Sequence, residues 1–380
     1  MNIRPADRLS ELQEYYFSKK LKEVAKLNQE GKDIINMGIG SPDLMPDAVV
    51  ISELIETTIQ SQNHGYQAYQ GIPELRKALA QFSKAKYNID LDQNEVLPLI
   101  GSKEGITHIS FAYLNPGDQV LIPELGYPTY TSVTKMVGGV PIYYPLLENQ
   151  NWEPDWGFLN SLDYSKVKII WLNYPHMPTG QKGSADILQE FVELAKRKGI
   201  LLCHDNPYSF IQNDQPLSIF NVPGAKEVAL ELNSFSKTFN MAGWRVGWLS
   251  GNSSLLEPVI RIKSNMDSGM FKPIQMAATK ALSLGQEWYD KLDVIYAERR
   301  LLVNQFLLKL NCKIAEGQAG LFVWAKVPKF DADHMCDYLL YKKGIFVTPG
   351  HIFGETGSLY IRVSLCMDKQ LIQKAIERLV

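Results

Sequence analysis

Through the middle of the chain a short apolar run repeatedly gives way to a turn and then to a stretch with helical spacing. The clearest unit begins at Lys166, where Val167, Ile169, Ile170, Trp171 and Leu172 read as a buried strand that ends in the loop NYPHMPTG. A helix follows: Ser184 suits the N-cap, Asp186 sits in the first turn, and Ile187, Leu188, Phe191, Val192, Leu194 and Ala195 share one face before Gly199 stops it. Ile200 to Cys203 then read as the next strand. Parallel strands need long crossovers, and these are usually helical, so the alternation predicts an α/β fold with a mainly parallel sheet flanked by helices.

The same reading makes VLPLI, ending at Ile100, a strand that turns through GSKEG into a helix reaching about Leu114, and adds strands at Val120–Ile122, at VALEL before Asn233 and at VGWLSG after Arg245. From about Gln275 the pattern changes to long helices followed by LFVWAKV and SLYIRVSL, which alternate as strands. The expected organisation is an N-terminal arm over 1–45 that contributes to a small domain, a large domain over 46–275, and a smaller α+β domain over 276–380. No internal repeat or low-complexity linker interrupts it.

With 380 residues, 45% of them hydrophobic, the chain can bury a sizeable core. A formal charge of -2 gives no electrostatic reason to expect nucleic acid or an anionic membrane as partner, which leaves small molecules. No apolar stretch is long enough to span a bilayer, and the opening MNIRPADRLSELQEYYF lacks a signal-peptide pattern, so the expected location is the cytoplasm. Cys203, Cys312, Cys336 and Cys366 are far apart, with no CxxC pair, and are expected to be buried free thiols. His64, His108, His176, His204, His334 and His351 show no metal-binding spacing, and no metal is expected.

Ligands of open α/β sheets bind beyond the carboxyl ends of the strands, which singles out the residues just after each strand. Gly101-Ser102-Lys103 opens a helix whose free N–H groups suit a phosphate, although the tripeptide alone fits a plain cap better. Asp205 follows four apolar residues, so it is either a shielded carboxylate that needs a cationic partner or a capping residue. Lys237, in SFSKTF, is either a solvated lysine or a half-buried amine with nucleophilic character. Arg362 shares a strand face with Tyr360 and Ser364, opposite Leu359, Ile361, Val363 and Leu365; it either solvates an outer face or clamps a carboxylate. Gly38-Ile39-Gly40 resembles half of a dinucleotide fingerprint, but Pro42 and Asp43 follow and no helix opens there.

Taken together, these segments resemble the class I/II aminotransferases, enzymes of fold-type I that use pyridoxal 5'-phosphate (PLP), over nearly the whole chain. SFSKTFNMAGWRVGW looks like the family's Schiff-base signature, HDNPYSF like its Asp-x-x-Tyr, NYPHMPTG like its Asn-Pro-Thr-Gly loop and YIRVSL like its C-terminal arginine strand. GYQAYQGIPELR, LIGSKEGI, LNPGDQVLIPELGYP and NMDSGMFKPIQ are most similar to the LL-diaminopimelate aminotransferase subgroup.

The resemblance implies that Lys237 carries PLP as a Schiff base and shuttles the Cα proton, that Asp205 pairs with the ring nitrogen, and that Tyr208 donates to the ring's phenolic oxygen. It implies a phosphate site made of Gly101, Ser102, Lys103, Ser234 and Arg245, with Tyr66 reaching over from the second subunit of a homodimer. Tyr127 would stack on the ring, and Arg362, with the backbone near Gly40, would grip the substrate's α-carboxylate. The implied function is amino-group transfer between an amino acid and a 2-oxo acid. A carbon–sulfur β-lyase on the same fold is the alternative, while a PLP-binding regulator would need a DNA-binding domain for which the chain leaves no room. Met177 departs from the family, which has asparagine there and uses it on the phenolic oxygen. Some diaminopimelate enzymes carry a glutamate at the place of Tyr69, and no arginine matches the one that aspartate aminotransferases use for a side-chain carboxylate.

Overall fold

The computed structural model describes residues 3–12, 14, 16–328 and 331–380; positions 1, 2, 13 and 15 of the expected N-terminal arm lie outside them. Seven strands form the main sheet, in the order Val96–Leu99, Gly247–Gly251, Ala229–Ser234, Leu201–Asp205, Val167–Asn173, Gln119–Pro123 and Val140–Tyr144. Gly247–Gly251 runs antiparallel to both neighbours and every other pairing is parallel, as expected for the α/β class. The edge strand Val140–Tyr144 was not anticipated, because its mixture of exposed and buried positions gives it no continuous apolar run.

The strands read as unbroken apolar runs because both faces of the sheet are covered. Leu99, Ile122, Ile169, Trp171, Leu201, Cys203 and Leu232 enter one core, while Leu121, Ile170, Leu172, Leu202 and Trp248 enter the other. The helix Ala185–Lys198 forms as its caps require: Ser184 Oγ accepts from the Ile187 N–H at 3.1 Å, and Gly199 takes the left-handed conformation at φ 65° that ends it. Two strands differ slightly from expectation. Val96–Leu99 stops before Ile100, and the strand expected to end at Cys203 continues to Asp205, which places that carboxylate at the carboxyl end of a central strand.

A second sheet of four antiparallel strands joins Lys313–Ile314, Phe322–Lys326, Tyr360–Ser364 and Thr348–Pro349. Ile35–Asn36 pairs in parallel with Ile345–Phe346, which ties the start of the chain to its C-terminal third. The helix Lys272–Leu282, through which the expected boundary at 275/276 runs, packs on the helices Ala48–Thr58 and Pro73–Tyr87. The long helix Gln286–Lys309 packs instead on the C-terminal helix Lys369–Glu377.

From that long helix, buried Arg299 makes a two-pronged ion pair with Asp43 at 2.6 and 2.8 Å and also donates to the Leu365 carbonyl at 3.0 Å. It therefore fixes the segment just after Gly40 to the small sheet. Removing one partner of a buried pair leaves the other uncompensated. Because the Asp43 side chain is 31% exposed, Arg299→Ala is expected to cost about 3 kcal/mol, the low end for such pairs. The urea unfolding midpoint measures this, and an unchanged midpoint would show that the pair holds nothing.

Candidate active site

The carboxyl ends of the strands at Leu99, Asn173, Asp205 and Ser234 open on one cavity of about 330 Å³, a size suited to a ring-sized cofactor with a small substrate. At one end the helix Ser102–Tyr113 begins. Gly101 stands before it at φ 80°, and a Cβ there would come within 2.3 Å of an Arg245 guanidinium nitrogen. Glycine is what lets that cation approach the helix N-terminus. Ser102, Lys103, Ser234, Ser236 and Arg245 all line this end, so a helix start, hydroxyl groups and a guanidinium face one space, the donor set of a phosphate dianion.

Asp205 forms the floor. It is only 4% exposed, and its Oδ2 accepts a hydrogen bond from Tyr130 Oη at 2.6 Å, whereas Oδ1 has no partner among the described residues. Burial pushes its carboxyl up to about 6, opposed by the Tyr130 hydrogen bond and by His204. A buried acceptor left open toward a cavity fits a cationic ring N–H, so the residues present suit the pyridine ring of PLP. Asn173 fixes the adjoining loop by donating to the Asp205 carbonyl at 2.7 Å and accepting from the Met177 N–H at 2.8 Å. Tyr127 and Tyr208 also line the cavity, and burial raises the Tyr208 hydroxyl far above its usual range, which keeps it a proton donor.

Lys237 reaches in from the short helix Phe235–Thr238 and donates from Nζ to the Gly40 carbonyl at 2.6 Å. Desolvation, together with Arg362 and Arg245, lowers its pKa and favours the neutral, nucleophilic amine. Gly40 has no room for a side chain, since a Cβ would lie 2.1 Å from the Phe322 ring. Arg362 is 4% exposed and so does not solvate an outer face. It donates to the Gly38 carbonyl at 3.0 Å and to Met177 Sδ at 3.3 Å, and its guanidinium carbon lies 3.8 Å from the centre of the Phe322 ring and 4.6 Å from that of Phe353.

The structure thus brings together Gly40, Ser102, Lys103, Tyr127, Asp205, Tyr208, Ser234, Lys237, Arg245 and Arg362 around one space, with Gly101 directly behind it. Tyr66 is 93% exposed and does not line the cavity of its own chain. Sequence reasoning missed Tyr130, Ser236 and the aromatic wall of Phe17, Phe322 and Phe353. Ser236 stood inside the lysine signature and could have been found; Tyr130 and the phenylalanines carry no local signal. Glu104, His108 and Asp267 gather their ligand atoms, but the buried Lys263 ammonium contacts Asp267 and lies 3.6 Å from Glu104. All four cysteines are buried and unpaired, as expected.

A cradle for a phosphate, an open carboxylate for a ring nitrogen, a desolvated lysine and a buried arginine define a PLP-dependent enzyme acting on amino acids. The family model "Aminotransferase class I and II" matches residues 32–379, and the chain belongs to that family. It is 39% identical to the LL-diaminopimelate aminotransferase of Halothermothrix orenii over 98% of this chain and 97% of that one. It is 40% identical to the enzyme of that name from Natranaerobius thermophilus over 99% of each. A substrate-bound structure of BacF from Bacillus subtilis superposes with a TM-score of 0.94 at 33% identity, covering 100% of this chain and 97% of that one. The protein is a PLP-dependent aminotransferase of fold-type I.

A carboxyl held near pH 6 in the folded apoprotein, against about 3.9 when unfolded, binds more protons folded than unfolded. Its contribution is therefore fully present below about pH 4 and is lost as pH rises through about 6. His176, which burial lowers to about 4, titrates in the same window with the opposite sign, so the variant comparison isolates Asp205. Relative to Asp205→Asn, apo wild type is expected to lose roughly 2 kcal/mol between pH 4 and 7. Chemical unfolding of both apoproteins at the two pH values checks this, and a constant difference would refute the raised pKa.

Proposed function

We propose that Lys237 holds the cofactor covalently, Asp205 pairs with its ring nitrogen, Tyr208 donates to its phenolic oxygen, Tyr127 stacks on its face, and Gly101, Ser102, Lys103, Ser234 and Arg245 bind its phosphate. The observation that carries this reading is the convergence of Lys237, Asp205 and Arg362 on one cavity whose phosphate-type donors lie at the opposite end. Bound PLP supplies a carbonyl that condenses with amines and a cationic ring that takes up the electron pair of the Cα–H bond. Arg362 orients the substrate by its α-carboxylate, with Gly40 at its side. The lowered pKa of Lys237 leaves its Nζ able to accept the Cα proton and return it at the other end of the transfer. Asp205, unpaired at Oδ1, keeps the ring nitrogen protonated.

Two further assignments accompany these. The protein acts in the cytoplasm: no helix among the described residues is long and apolar enough to cross a membrane, and its thiols are unpaired. It also works as a homodimer in which Tyr66 completes the phosphate site of the partner. Tyr66 is supported in this role by its full exposure and by Met45, Val49, Ile55, Ile59, Met266 and Phe271, large apolar side chains left exposed on the neighbouring segments.

Borohydride reduction of the cofactor-loaded enzyme followed by peptide mass spectrometry is expected to place the modification on Lys237 and to give none in Lys237→Ala; a modified peptide elsewhere would overturn the assignment. Adding one amino acid to the loaded enzyme should yield its 2-oxo acid and pyridoxamine phosphate. Release of ammonia and pyruvate with PLP retained would instead indicate β-elimination. Shared sites predict that mixing inactive Tyr66→Ala and Lys237→Ala subunits restores activity, because one site of each mixed dimer is intact. No recovery after demonstrated subunit exchange would remove Tyr66 from the partner's site.

A further inference from the structure

The first turn of the helix Pro128–Met136 carries two tyrosines. Tyr127 is its N-cap residue and lines the cavity, and Pro128, whose ring fixes a helical φ, follows at the first helical position. The Tyr130 N–H donates to the Tyr127 carbonyl at 3.1 Å, so the two side chains stand one turn apart on the same side of the helix. Their rings meet edge to face, with centres 5.8 Å apart and planes at 87°. Tyr130 is fully buried, and its other contact is flat: its ring stacks on Trp171 with centres 5.0 Å apart and planes at 9°. Trp171 lies on the strand next to that of Asp205, where it pairs with Cys203 while Asn173 pairs with Asp205. Tyr130 is thus wedged between the cavity's tyrosine and the sheet.

A hydroxyl with so little freedom fixes the carboxylate it meets. Tyr130 Oη donates to Asp205 Oδ2 at 2.6 Å, and burial together with that carboxylate pushes the hydroxyl far above its ordinary range, so it stays a donor. A carboxyl group turns about its Cβ–Cγ bond, and its two oxygens are interchangeable until one is engaged. By engaging one, Tyr130 decides which oxygen is left for the cavity. It also stabilises the ionised form where burial makes the charge costly. Other titratable and charged groups surround the carboxylate. His204 precedes it on the strand and pairs with Glu231 at 2.9 Å, and Tyr127, Tyr208, Lys237, Arg245 and Arg362 line the same cavity. All of them stay in place when the Tyr130 hydroxyl alone is removed.

We propose that Tyr130 is a positioning residue for the cofactor, which presents Asp205 Oδ1 to the ring nitrogen through its hydroxyl and braces Tyr127 against the ring face through its own ring. This rests on the reading of Asp205 and Tyr127 given above. One rigid side chain thereby sets two contacts of the pyridine, the partner of its nitrogen and the partner of its face.

Two variants separate the hydroxyl from the ring: Tyr130→Phe removes the first and keeps the second, and Tyr130→Leu removes both. Losing a hydrogen bond to a charged group is expected to weaken PLP binding in Tyr130→Phe by about tenfold. The same loss should raise the pH at which Asp205 titrates in the apoprotein, from about 6, by about one unit. NMR of apoprotein carrying labelled aspartate carboxyl carbons follows that titration, and Asp205→Asn identifies the signal. In the loaded enzyme, the ring nitrogen of isotope-labelled PLP should move toward its unprotonated signal in Tyr130→Phe. Tyr130→Leu should weaken binding by a further factor of about five, because Tyr127 loses its aromatic neighbour. Should the leucine variant fail to fold, the phenylalanine variant decides alone, since its packing is that of wild type. Weaker binding with an unchanged Asp205 titration and an unchanged ring-nitrogen signal would reduce Tyr130 to packing and overturn the proposal, as would no change at all. A ring-nitrogen signal altered in Asp205→Asn but not in Tyr130→Phe removes the proposal and leaves the Asp205 reading intact. A signal unaltered in Asp205→Asn removes both.

Discussion

A carboxylate buried at a strand end with one oxygen unpaired sets the terms for the rest of this site. Asp205 lies 4% exposed between the strands that carry Asn173 and Ser234, and the fold satisfies only Oδ2, through Tyr130. Burying an unpaired charge is expensive, and the raised pKa is the form that expense takes here. A cation at Oδ1 reverses the balance by restoring the ionised form. The apoprotein is thus electrostatically incomplete at a point that a cationic ring nitrogen would complete. The parallel sheet makes this possible, because strands running the same way deliver their C-terminal residues to one side without further turns.

How far this was legible from the sequence follows from what each signal measures. Apolar runs report burial on both faces, so the strands through Leu99, Ile122, Leu172, Leu202, Leu232 and Leu249 were readable, whereas Val140–Tyr144 was hidden by its exposed edge. The residues after the readable strands included Ser102, Asp205, Ser234 and Lys237, which is why the cavity could be anticipated. Tyr130 could not: it lies on the helix Pro128–Met136, far from Asp205 in sequence, and only the folded chain brings its hydroxyl to the carboxylate. The phenylalanines around Arg362 come from three distant segments and meet only in the folded chain. The role proposed for Tyr66 comes from family resemblance alone, since nothing local to GYQAYQG announces a phosphate contact.

Met177 shows how a departure from the family pattern is absorbed. The loop it belongs to keeps its shape through Asn173, whose amide spans the Asp205 carbonyl and the Met177 N–H. The side chain turns to Arg362, where its sulfur accepts from the guanidinium. Tyr208, kept protonated by burial, lines the same cavity as a hydrogen-bond donor.

The choice of sulfur and aromatic faces around Arg362 has its own energetic logic. A carboxylate in that place would bind the guanidinium strongly and compete with the substrate's own carboxylate. A thioether is a weak acceptor, and ring faces attract the cation through their quadrupole. Sulfur and ring faces therefore hold Arg362 in position in a desolvated setting, where a carboxylate bound by the guanidinium would be bound strongly. The same side chains, Met177, Phe322 and Phe353, line the cavity, so the packing that positions Arg362 also shapes the space beside it.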